Sequence, residues 1–318
     1  MDVRGLLDPA YKGAMEEMAK RPAADWSNPA EVRETRKILF PPPPIPEGVD
    51  WEDHHAPGPP GAPDVLVRTY RPASVGGALP CIYWIHGGGY MGGSYDGNNN
   101  TCAKWALDLN CAVASVEYRL APENPYPAPL DDCYAGLKWL IGNAAALGVD
   151  PARLVIGGAS AGGGLCAALA LLARDRGEFS VTHQLLVYPM IDDRRTTESS
   201  QWTTYVWTTS SNEIGWKSYL GPLFGAPDVP PYAAPSRAED VKGLPAAFVM
   251  VGTLDLFLDE DIEYANRLMQ AGVPTELHVY AGGPHGFDSP MFGGNADLGR
   301  RARRDVDDWL ARAFASTA

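Results

Sequence analysis

The chain has 318 residues, with 26 Lys and Arg against 39 Asp and Glu, a formal net charge of −13. At 45% hydrophobic and 20% charged residues it carries enough apolar matter for a large buried core, which excludes a wholly disordered chain. The acidic balance argues against nucleic acid or an anionic membrane surface as partner and favours a small neutral substrate.

In chain order, residues 1–40 predict two short helices. Leu7, Tyr11, Ala14, Met15 and Met18 recur at helical spacing, and a second amphipathic stretch covers 29–40. Nine of the 29 prolines then fall between positions 41 and 63, a segment expected to be an extended connector. From 65 onward, strand-like apolar runs (65–70, 81–85, 112–116, 153–156, 184–188, 246–251, 275–280) alternate with helical stretches (101–109, 129–147, 163–174, 258–271, 296–314). Several runs are apolar throughout, as in strands covered on both faces, so the expected architecture is α/β: a mostly parallel sheet wrapped by helices. Residues 192–245 break the rhythm and hold Trp202, Trp207 and Trp216 with Tyr205 and Tyr219, which suggests an inserted cap lined with aromatics. The expected division is N-terminal cap and linker 1–48, core 49–191, cap insertion 192–245, and core 246–318.

The longest apolar run, 165–173, has nine residues, well short of the ~20 of a membrane span. MDVRGLLDPAYKG lacks a basic region followed by an apolar core, so no secretory signal is expected. The five cysteines are odd in number and show no CxxC spacing. They read as reduced core residues with neither metal nor redox role, and the cytoplasm follows as the default location.

Chemistry concentrates at three turns. Gly158-Ala159-Ser160-Ala161-Gly162 joins a strand to a helix. A serine there has a strained backbone, its neighbours must lack side chains, and the helix behind it aims free N–H groups at the reacting centre. A phosphate cradle is the competing reading, but no Walker-type lysine follows. His86-Gly87-Gly88-Gly89-Tyr90 follows another strand; uncovered amides of Gly88 and Gly89, with that of Ala161, can receive an oxyanion. His86 opens this turn and is expected to brace it.

A serine hydroxyl needs an imidazole to take its proton. His183 and His278 lie in or beside strand-like runs, and His54 and His55 lie in the connector. His285 follows the last strand, at the carboxyl edge where parallel sheets display function. Among fifteen carboxylates between Ser160 and His285, Asp255 comes just after a strand on the neighbouring loop, with Asp192 and Asp193 as rivals. Asp259, Glu260 and Asp261 suit a helix start. Tyr90, Trp207 and Trp216 are candidate pocket residues, with simple packing as their competing role.

HGGGY, VEYRLAPE (116–123), YPAPLDD (126–132), GASAG, GTLDLFLDE (252–260) and HGF, in this order, resemble the hormone-sensitive-lipase-like carboxylesterases of the α/β-hydrolase fold. The resemblance covers about 65–315 and implies a Ser160/Asp255/His285 triad and an oxyanion hole from Gly88, Gly89 and Ala161. It also implies a cap built from the N-terminus and the insertion, and hydrolysis of short- to medium-chain esters without a cofactor. A homodimer is left open. Ala159 stands where the family usually has an acidic residue or threonine, and Leu256 where it commonly has proline. An amidase or peptidase could use the same triad, and a non-catalytic receptor is a third class on this fold.

Overall fold

The computed structural model describes residues 1–20, 25–290 and 296–315. Its strands are β1 Val49–Ala56, β2 Val65–Pro72, β3 Leu79–Ile85, β4 Ala112–Glu117, β5 Val149–Ala159, β6 His183–Val187, β7 Ala246–Leu254 and β8 Thr275–Pro284. They form one sheet in the order β1-β2-β4-β3-β5-β6-β7-β8. β1, β2 and β4 pair antiparallel, and every later pairing is parallel.

The helices are α1 Lys12–Ala19, α2 Pro29–Leu39, α3 Asn99–Leu109, α4 Ala128–Gly142, α5 Ala144–Leu147, α6 Ala161–Arg176, α7 Thr209–Leu220, α8 Leu258–Gln270 and α9 Asp297–Ala315. Successive strand residues point to opposite faces, so the two sides of the sheet build separate cores. Cys81, Tyr83 and Ile85 of β3 join Leu137 of α4, Leu165 and Leu169 of α6 and Leu268 of α8 in one. Ile82 and Trp84 join Trp105 of α3 and Val306, Trp309 and Leu310 of α9 in the other. The result is the three-layered α/β-hydrolase fold. Its second core also takes Tyr11 and Met15 from the N-terminal segment.

The expected connector 41–63 is corrected in part, because it contains β1. Among the described residues this is an edge strand paired with β2 alone, and its pattern of mostly exposed residues gives no apolar alternation to read. The single helix expected over 129–147 is two, α4 and α5, meeting at Asn143. The helix predicted over 29–40 is α2; Asn28 caps it, accepting from the Glu31 amide, and Pro29 starts its first turn. Between β6 and β7 the chain leaves the sheet and returns carrying α7 and 3-10 turns at Ser199–Gln201, Gly221–Leu223 and Pro235–Arg237. Among the described residues no helix is long and apolar enough to cross a membrane.

Candidate active site

Three turns at the carboxyl ends of β5, β7 and β8 bring Ser160, Asp255 and His285 together. Ser160 stands between β5 and α6 with φ +57°, a left-handed conformation rare for a residue with a side chain. The surroundings fix it there. Its N–H donates to Val187 O (2.9 Å), and its carbonyl accepts from Gly164 N and Met190 N, each at 3.0 Å. A methyl group at Gly158 would overlap the Gly162 carbonyl, and one at Gly162 the carbonyls of Ile85 and His86, so only glycines permit this crossing.

The serine oxygen lies 3.0 Å from Nε2 of His285, and Nδ1 of the same ring lies 2.7 Å from Oδ2 of Asp255. With the ring proton on Nδ1, the imidazole donates to the carboxylate and accepts from the hydroxyl. Asp255 is held in turn, its Oδ1 accepting from Phe257 N at 3.2 Å. Asp255 is fully buried, and Ser160 and His285 are each 8% exposed, so little water competes with this relay.

The imidazole is also shaped from the sides. Tyr188 and Phe257 meet it edge-on with centroids at 4.8 and 5.2 Å, and Trp207 lies 6.5 Å away. The Tyr188 hydroxyl donates to Asp288 (2.9 Å), whose carboxyl is pushed above its ordinary range by burial. The sequence alone assigns no role to Tyr188, Phe257 or Asp288. Spacing from the turns is a signal for two of them: Phe257 lies two residues after the acid and Asp288 three after the histidine.

The rival acids are otherwise engaged. Asp192 accepts from Arg194 at 2.7 and 2.8 Å, and Asp193 from Arg237 at 2.6 and 2.9 Å. Asp259, Glu260 and Asp261 fill the first turn of α8. Among the remaining histidines, His54 and His55 lie on β1, His183 opens β6, and His278 on β8 contacts Glu276 at 2.7 Å.

The glycine turn faces the serine: a Cβ built on Gly87 would lie 3.2 Å from Ser160 Cβ. Gly88, Gly89 and Tyr90 follow with φ of +133°, +63° and +63°. Among the described residues the amides of Gly88 and Gly89 donate to no protein acceptor. The Ala161 amide is the first of α6 and has no acceptor within the helix. His86 stacks on Tyr118 (4.2 Å), and its Nδ1 approaches Gly87 O at 2.9 Å, wedging the start of the turn. Burial pushes the His86 imidazole down to about 4, so it sits neutral there at pH 7.

The three candidate pocket aromatics are placed differently from one another. The Trp207 indole packs on Gly89 and donates from Nε1 to Asn212 (3.2 Å), which seats it over the glycine turn. Tyr90 and Trp216 instead pack with Tyr219 in the interior. The Tyr90 ring stacks on Tyr219 at 4.0 Å and its hydroxyl donates to Met190 O, while Trp216 is fully buried beside both. Among the described residues no group of three or more His, Cys, Asp or Glu side chains is placed to hold a metal ion.

Residues 82–289 match a family model described as the alpha/beta hydrolase fold. Carboxylesterase NlhH of Mycobacterium tuberculosis is 36% identical over 269 residues, covering 83% of each chain. Ethyl acetate hydrolase of Pseudomonas putida is 33% identical over 226 residues, 70% of each. The solved structure of a bacterial heroin esterase superposes with a TM-score of 0.93 at 38% identity, over 99% of this chain and all of that one. This chain therefore belongs to the hormone-sensitive-lipase-like carboxylesterases of the α/β-hydrolase fold.

Proposed function

We propose that the chain is a serine carboxylesterase in which Ser160 Oγ attacks the ester carbonyl while His285 Nε2 takes its proton. Asp255 keeps the imidazole in the tautomer that accepts at Nε2 and stabilises the imidazolium that forms. The amides of Gly88, Gly89 and Ala161 receive the oxyanion. His285 returns the proton to the leaving alcohol, and water repeats the sequence on the acyl-enzyme. The cycle needs side chains, backbone amides and water alone. The observation that carries this reading is the continuous relay Ser160–His285–Asp255, with hydrogen-bond distances of 3.0 and 2.7 Å.

In this proposal residues 1–48 and 192–245 form the cap. Trp207 on the glycine turn favours short- to medium-chain acyl groups, and the name of the ethyl acetate hydrolase is in keeping with that. Five buried free thiols support a cytoplasmic setting.

The test is a rate series on p-nitrophenyl esters from acetate to palmitate, run on the protein and on Ser160→Ala. Loss of hydrolysis in the variant and a fall in rate toward long chains are expected. Hydrolysis that survives Ser160→Ala would overturn the proposal. Faster cleavage of anilides than of matched esters would make the chain an amidase instead.

A further inference from the structure

The glycine turn is held from the N-terminal cap, by one guanidinium. Arg33 lies on α2, and its Nε donates to Met91 O at 2.5 Å, while Nη2 donates to Ala121 O at 2.6 Å. Its two terminal nitrogens also donate to the Glu123 carboxylate, each at 2.9 Å. The acceptors are two main-chain carbonyls of the core, one directly behind the glycine turn and one on the neighbouring loop.

Those carbonyls sit where the turn needs support. Gly88, Gly89 and Tyr90 are three successive left-handed residues, and Tyr90 has a side chain, for which that conformation is unfavourable. Such a backbone persists only when its neighbours over-determine it. Ala121 N donates to Tyr90 O at 3.0 Å, and Arg33 takes both the next carbonyl along the turn, Met91 O, and the carbonyl of Ala121 itself. The guanidinium fork thus closes a clasp around the exit of the turn. Beside it the indole of Trp26, also from the N-terminal segment, packs on Gly92, where an added Cβ would lie 3.3 Å from the ring.

We propose that Arg33 is a positioning residue for the oxyanion hole, through which the N-terminal cap sets the aim of the Gly88 and Gly89 amides. The proposal rests on the assignment of those amides as oxyanion donors. The cap helix is then a working part of the reaction and not only a cover. A donor that has drifted still lets the neutral ester bind, but fails to meet the charge that develops on its oxygen. The guanidinium fork is specific to the task, since an ammonium cannot hold both carbonyls from fixed positions in one plane.

The test compares Arg33→Ala, Arg33→Lys and Glu123→Gln with the unmodified protein on p-nitrophenyl acetate, with sites counted by a fluorophosphonate label. Arg33→Ala should lower kcat per labelled site by about tenfold or more, with KM changed by less than about threefold. Inhibition by a phenylboronic acid, which forms an anionic serine adduct, should weaken in parallel with kcat/KM. Arg33→Lys should fall between, and it carries the same test if the alanine variant does not fold. Glu123→Gln leaves both carbonyl contacts in place and should keep kcat within about twofold. A lower melting temperature with unchanged kcat per site in both Arg33 variants would overturn the proposal. So would a rise in KM alone. If Ser160→Ala retains hydrolysis, the serine mechanism itself falls; if it abolishes hydrolysis while the Arg33 variants keep kcat, the fault lies with the clasp.

Discussion

Replacing Gly88 by alanine isolates the oxyanion hole from the Ser160–His285–Asp255 relay. The position has φ +133°, and a methyl group there would overlap the carbonyl carbon and oxygen of Gly92 and crowd the Gly93 amide. Those are backbone atoms, so no side-chain rotation relieves the overlap and the turn itself must move. The conformation costs an alanine about 1–3 kcal/mol, and displacement of one donor raises the barrier by about 3 kcal/mol. At 1.36 kcal/mol per tenfold, kcat should fall about a hundredfold. The assay is p-nitrophenyl acetate hydrolysis per fluorophosphonate-labelled site, with a melting curve for each variant. A Gly88→Ala enzyme that melts lower yet turns over within about threefold of the parent would refute the assignment of that amide.

Three further outcomes are expected. Asp132 is almost wholly buried and accepts from the Arg119 amide, Nε and Nη2 at 2.7–2.9 Å. Asp132→Ala should therefore cost about 3–5 kcal/mol in denaturant unfolding, with kcat of the folded fraction unchanged; a loss below about 1 kcal/mol would contradict it. Burial pushes the Glu117 carboxyl up to about 7 from an ordinary 4.5, beside a His86 Nε2 at 3.8 Å. Between those values the unfolded chain has released a proton that the folded chain keeps, so stability falls as pH rises through the window. Glu117→Gln, a mimic of the protonated acid, should raise the melting temperature at pH 8 but not at pH 4.5, and an equal gain at both would refute the sign. Trp207→Ala should move the acyl-chain optimum of the p-nitrophenyl series to longer chains; an unmoved optimum would remove Trp207 from the pocket.

The sheet was legible from residue 65 onward because several of its strands are covered on both faces, which leaves continuous apolar runs. β1 was not, because an edge strand is held by pairing and by polar contacts that no apolar period records. Asp53 accepts from Arg68 at 2.6 and 2.7 Å, and Trp51 lies under the same guanidinium at 4.4 Å. Local motifs also say nothing about which way an aromatic faces. Trp207 and Trp216 share one insertion, yet one lies on the glycine turn and the other is sealed against Tyr90 and Tyr219. Arg33 is the extreme case: the acceptors that tie it to the glycine turn are main-chain carbonyls 58 and 88 residues away, atoms common to every sequence.

The choice of acid shows what the fold adds to chain order. Asp192, Asp193 and Asp255 all follow strands of the same edge, and spacing alone leaves them in competition. Charge separates them. Asp192 and Asp193 each meet a guanidinium in paired hydrogen bonds, and a carboxylate committed to a permanent cation has little left for an imidazole that is charged only in passing. Among the described residues Asp255 meets no guanidinium; one oxygen takes a backbone amide and the other faces His285 Nδ1. The nearby Glu260 side chain accepts the Ile191 and Asp192 amides at 3.0 and 3.2 Å, which ties the loop after β6 to the helix behind Asp255. The same set of acids thus divides into those that hold loops and one left facing the imidazole, and the arginines make that division.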